Sequence, residues 1–103
     1  MTKTWESIRT EKLAAMTAEE RRRYEHRKAE VGRAVRVGLE VRARREGAGL
    51  SQRQLAEMVG IRQPNIARLE AGDVLPTLGT LDRIADALGL ALEVGFSESA
   101  ADR

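Results

Sequence analysis

The segment from Leu50 to Gly72, LSQRQLAEMVGIRQPNIARLEAG, leaves this chain little freedom in how it folds. Ser51 is placed to cap a helix, and Gln54 three residues later completes a reciprocal box that satisfies two otherwise unpaired N–H groups. Leu55, Ala56 and Val59 then form one apolar stripe at helical spacing. Gly60 stands where that helix must end in a left-handed turn. Ile61 plugs the corner, and Pro64 opens a second helix at a position where a missing N–H is tolerated. Ile66 and Leu69 turn inward from this second helix, while Gln63, Asn65 and Arg68 turn outward.

Two short helices joined by a tight glycine turn, with long polar side chains on the free face of the second, make a helix-turn-helix. The rest of the chain must supply its support. With 103 residues there is room for one small domain and an extension. Hydrophobic residues make up 42% of the chain but only Trp5, Tyr24 and Phe96 are aromatic, so the core is aliphatic. The absence of cysteine removes disulfides and thiolate metal sites and suits a reducing cytoplasm. No apolar run approaches the ~20 residues that span a bilayer, and no signal peptide is expected.

The net charge of +2 is unevenly spread. Residues 1–48 hold 13 Lys/Arg against 8 Asp/Glu, and residues 49–103 hold 5 against 8. A basic excess on a helix is as readily a solvated face as a binding surface. For DNA, the placement of cations near phosphates matters more than the total.

Around the motif, Trp5, Ile8, Leu13 and Met16 recur at roughly helical spacing, a short amphipathic helix. Thr17 and Glu20 form a second capping box, starting a long helix that runs to about Glu46 and stops at Gly47 and Gly49. Pro76-Thr77 caps a last helix whose buried stripe is Leu78, Leu81, Ile84, Ala85 and Leu88. From Leu90 to Phe96 the period changes to two, with Leu90, Leu92, Val94 and Phe96 on one face. That pattern predicts a strand. A lone strand leaves its backbone unpaired, so the expectation is pairing with the same strand of a second copy, in a symmetric homodimer.

The long helix carries two apolar stripes. Val37, Val41 and Ala48 fall within about 40° of one another, facing the helix-turn-helix core. Tyr24, Val31, Val35 and Leu39 cluster within about 80° on another side. The second stripe is either covered by the Trp5–Met16 helix or forms, with that helix, a docking surface for another protein. The two are compatible.

From Val37 to about Gly89 the chain resembles the lambdoid-repressor-like (XRE) helix-turn-helix family. The resemblance is carried by Arg45, GLSQRQLAEMVGI, IARLEAG and PTLGTLDRIADALG. With the segment LALEVGF and the N-terminal extension, the whole is more narrowly similar to HigA-type antitoxins of toxin–antitoxin pairs. The resemblance implies an all-α fold: a five-helix lambda-repressor-like domain over 31–96, an N-terminal helical extension over 1–30, one C-terminal strand pairing across a dimer, and a tail over 97–103. It implies that Gln52 lies at a phosphate-contacting position, with Arg53 beside it in the DNA-binding set, and that Gln63 and Arg68 read bases, flanked by Arg62, Pro64 and Asn65. Arg62 departs from the Ser or Thr frequent there and cannot cap the helix. Pro64 replaces a polar residue and offers only apolar contact. Arg45 and Glu70 match an internal ion pair.

The implied partners are double-stranded operator DNA, a second copy of the chain and a small RelE/HigB-like ribonuclease toxin. The toxin would be gripped through Trp5, Ile8, Leu13, Met16, Tyr24, Val31 and Val35. The alternative is a free-standing repressor with the same DNA chemistry and no toxin. Either would be bacterial, cytoplasmic and nucleoid-associated, without membrane contact. No cofactor or metal is expected: His26 is a lone histidine on a charged helix. No serine has a His/Asp arrangement to activate it, which argues against an enzyme.

Overall fold

The computed structural model describes residues 4–98, and within them the chain is helical. The helices are α1 (Trp5–Ala14), α2 (Ala18–Gly47), α3 (Gln52–Val59), α4 (Gln63–Glu70) and α5 (Leu78–Ala87). Their starts are set locally. Thr17 and Ser51 each accept the N–H of the residue three positions on, and the side chains of Glu20 and Gln54 accept the N–H groups of Thr17 and Ser51 in return. Thr77 caps α5 by accepting the Thr80 N–H at 3.1 Å. At the end of α3, Gly60 has φ 81°, which a side chain would oppose.

The core lies between the second half of α2 and helices α3–α5. Leu55 and Ile66 are fully buried, joined by Val41, Ala56, Val59, Leu69 and Ile84. The side of α2 pressed against this core is the line Ala34, Gly38, Val41 and Arg45, at successive spacings of four, three and four. Val37 packs partly against the core, whereas Ala48, expected on the same stripe, caps the helix end and is exposed.

Gly38 and Ala34 were not legible as core positions, since an interior glycine reads only as a weak helix former. The reason for Gly38 is a close approach. A Cβ there would overlap the Leu69 carbonyl oxygen and lie 2.8 Å from that of Glu70. The α2 backbone therefore rests directly on the last turn of α4. Gly72, with φ 78°, ends α4 against Val35, whose Cγ2 would sit 2.9 Å from a Cβ at that position.

The first half of α2 and all of α1 stand apart from this core. No residue of α1 is buried, and the buried residues of α2 all lie between Ala34 and Val41. The second stripe stays open: Val31, Val35 and Leu39 are exposed, as are Trp5 and Ile8, while Leu13, Met16 and Tyr24 are half-buried. Thus α1 does not fold over that stripe. Deleting residues 1–16 is expected to shift the Tm of the remainder by no more than about 2–4 °C, followed by circular dichroism. A larger fall would make the extension part of the core.

The strand expected over Leu90–Phe96 is not formed: the described residues contain no strand. Strands are held by ladder hydrogen bonds to a neighbour, and a single copy offers none. The Leu90 N–H is engaged instead in ending α5, donating to the Ala85 carbonyl at 2.8 Å. The segment runs beside an open groove of about 960 Å³, lined by Val37, Val41 and charged residues of α2, by apolar residues of α5, and by Leu90, Leu92 and Val94. Val94 and Phe96 are exposed.

Candidate nucleic-acid interface

The end of α3 is joined to the start of α4 by the three residues Gly60–Arg62, and the two helices pack closely enough that side chains from their first residues meet. Gln52 and Gln63 are the first residues of their helices. The Gln63 Nε2 donates to Gln52 Oε1 at 2.9 Å. Gln52 Nε2 donates in turn to Glu70 Oε1 at 3.1 Å. Both glutamines are half-buried, while Arg53, Arg62, Pro64, Asn65 and Arg68 are exposed around them. The start of α4 carries no side-chain cap, with Arg62 at the capping position and Pro64 in the first turn. The surface therefore offers three guanidinium groups, three amides and an uncapped helix N-terminus, a set suited to anionic and base-edge acceptors.

Beneath it lies the Arg45–Glu70 pair. Arg45 Nε and one terminal nitrogen donate to the two Glu70 carboxylate oxygens at 2.7 and 2.9 Å. Its other terminal nitrogen donates to the Leu50 carbonyl at 2.8 Å, tying the α2–α3 connection to the same point. The Glu70 side chain keeps 3% exposure and that of Arg45 11%, so the two charges are taken out of water together. The hydrogen bond and the charge of Glu70 hold the Arg45 guanidinium more firmly protonated than in water, against the opposing effect of burial. Every buried side-chain polar atom among the described residues has a hydrogen-bond partner.

The family resemblance implies the Arg45–Glu70 pair, and places Gln52 and Gln63 separately on the DNA-facing side. Sequence reading did not foresee that Gln63, Gln52, Glu70 and Arg45 form one continuous chain of hydrogen bonds, since these residues lie 11, 18 and 25 positions apart pairwise along it. Among the described residues no cluster of His, Cys, Asp or Glu is arranged to hold a metal ion, and His26 pairs only with Glu30. No described helix is long and apolar enough to cross a membrane.

Residues 41–94 match the helix-turn-helix family. An uncharacterized HTH-type transcriptional regulator of Haemophilus influenzae is 40% identical over 62 residues, which cover 58% of this chain and 63% of that protein. The HTH-type transcriptional regulator PuuR of Escherichia coli is 39% identical over 54 residues, covering 52% of this chain and 29% of PuuR. The chain thus spans less than two thirds of either relative. Among solved structures, a toxin–antitoxin module from Streptococcus pneumoniae is 31% identical, with 94% of this chain and 97% of that one covered at a TM-score of 0.46.

Proposed function

The chain belongs to the helix-turn-helix family, and from that premise we propose that it is a sequence-specific DNA-binding regulator that inserts α4 into the major groove. The observation that carries this reading is the outer face of α4. Gln63 is steadied from behind by Gln52, while Asn65 and Arg68 stand free beside it. Gln63 suits the adenine edge, Arg68 suits the two acceptors of guanine, and Arg53 and Arg62 reach phosphates. A homodimer would place two such helices in successive grooves about 34–36 Å apart on a pseudo-palindromic operator. The exposed apolar tail at Leu90, Val94 and Phe96 supports it, with Leu92 lining the groove beside them.

Losing the contacts of Gln63 or Arg68 should cost ~1–3 kcal/mol each and relax selectivity at the base pair touched. The check is selection from a randomised duplex pool followed by binding titration of the enriched sequence. An Arg68→Ala protein that binds the enriched and random duplexes as the parent does would remove Arg68 from the base-reading set.

We further propose that the regulator is an antitoxin resembling the HigA type, which silences a small RelE/HigB-like ribonuclease and represses their shared operon from within the cytoplasm. Support comes from the exposed apolar side chains of Trp5 and Ile8 on α1, a helix with no buried residue, and of Val31 and Val35 on α2. The half-buried Leu13, Met16 and Tyr24 belong to the same surface. The test is an affinity pull-down from the native host with intact-mass analysis. A stoichiometric small basic partner, lost when residues 1–30 are deleted, is the expected result. Recovery of only the homodimer and DNA would leave a free-standing repressor.

A further inference from the structure

We propose that Glu70, buried beneath the surface, is a positioning residue that sets base preference: through Gln52 it fixes which way round the Gln63 amide faces, and so favours adenine over guanine. The inference rests on the reading of α4 as the helix that meets the bases. Its root is the one-sidedness of a carboxylate. Arg45 has only donors, and an ionised Glu70 has only acceptors. The amide of Gln52 can be built either way round, but against Glu70 Oε1 it must present Nε2, as it does at 3.1 Å. Its Oε1 then faces Gln63, which must donate, as it does at 2.9 Å. The polarity of the whole chain follows from one acceptor-only group at its buried end.

What remains free on Gln63 is its Oε1 and one N–H of Nε2. Adenine presents one donor and one acceptor on its major-groove edge, which that pair satisfies, whereas guanine presents two acceptors. With the chain reversed, Gln63 Oε1 would be engaged inward and both N–H groups would face out, matching guanine instead. Glu70→Gln removes the asymmetry. A glutamine at 70 can turn its oxygen toward Arg45 Nε or toward the neighbouring terminal nitrogen and Gln52. Each orientation keeps two of the three hydrogen bonds and opposes two donors once, so both polarities become accessible.

The experiment sequences duplexes retained from a randomised pool by the parent, Glu70→Gln and Arg45→Lys proteins, each held well below its own Tm. The reading is the adenine-to-guanine ratio at the position whose preference vanishes in Gln63→Ala. The parent should favour adenine by about tenfold or more. Glu70→Gln should bring the ratio to within about threefold of unity, the two amide orientations being nearly balanced. Arg45→Lys weakens the ion pair but leaves Glu70 an acceptor, so it should keep the parent's ratio.

If Arg45→Lys loses as much discrimination as Glu70→Gln, or Glu70→Gln keeps it, Glu70 acts only through stability and the proposal fails. A second readout uses the free proteins. A scalar coupling across the hydrogen bond, from Gln63 Nε2 to Gln52 Cδ, should be present in the parent and reduced in Glu70→Gln. Sequence selection by a parent that lacks the coupling would overturn the role of Glu70 alone. A parent that shows the coupling but selects no sequence would overturn the assignment of α4, and the base preference with it.

Discussion

Alanine at Gly38 is expected to lower the melting temperature by about 10–20 °C, from the addition of one methyl group. The added carbon would meet backbone on two sides, at the carbonyls of Leu69 and Glu70, and neither is the end of a side chain that can swing away. Relief requires α2 to lift off α4. That separation loosens Val41 from the core and lengthens the Arg45–Glu70 bonds, a loss of about 2–3 kcal/mol after alanine's better helix propensity is counted. Six residues earlier the same change should have the opposite sign. At Gly32 a Cβ meets only the end of the Arg36 side chain at 3.5 Å. There Gly32→Ala should stabilise by about 0.5–1 kcal/mol. Thermal melts of the two variants side by side measure the contrast, and equal shifts would show that α2 does not rest on α4 as described.

Arg45→Met should be still more damaging, by about 3–5 kcal/mol, because it leaves the Glu70 carboxylate buried with only Gln52 to answer it. The Leu50 carbonyl loses its donor in the same step. Replacing both partners, Arg45→Met with Glu70→Met, should recover most of the loss, since no uncompensated charge then remains inside. Urea titrations of the two single variants and the double variant, with an unchanged m-value, provide the measurement. A double variant no better than the worse single would mean that the pair holds the fold by more than mutual neutralisation.

These two predictions mark where sequence reading reaches and where it stops. The helix starts at Thr17, Ser51 and Thr77 were legible because each cap joins residues three apart, and nothing distant competes with it. The inward residues Leu55, Ile66 and Ile84 were legible because apolar spacing records which face is wet. Gly38 was not, since its partner is the backbone of a helix more than thirty residues away, and a carbonyl oxygen leaves no trace in residue type. The Arg45–Glu70 pair came only from family resemblance, because opposite charges 25 positions apart have many possible partners. Alternation from Leu90 to Phe96 predicts a strand that the structure does not form, because a strand is a property of two segments and one copy supplies one. In the candidate site the individual residues were visible, whereas their linkage was not. Gln52 meets Gln63 only because the turn at Gly60 folds α4 back against α3.

The length of α2 has a geometric consequence for how the two ends of the molecule are related. Its 30 residues form an unbroken rod of about 45 Å, of which only the far half is gripped by the helix-turn-helix core. The near half therefore acts as a spindle on which α1 and its apolar side chains are mounted. One residue inserted between positions 20 and 30 would swing α1 by about 100° around the rod and move it about 1.5 Å along it. The packing of α3–α5 on the far half would be untouched. The two ends of the rod are then separately adjustable: the near end can be turned to a new direction while the far end stays seated in its core.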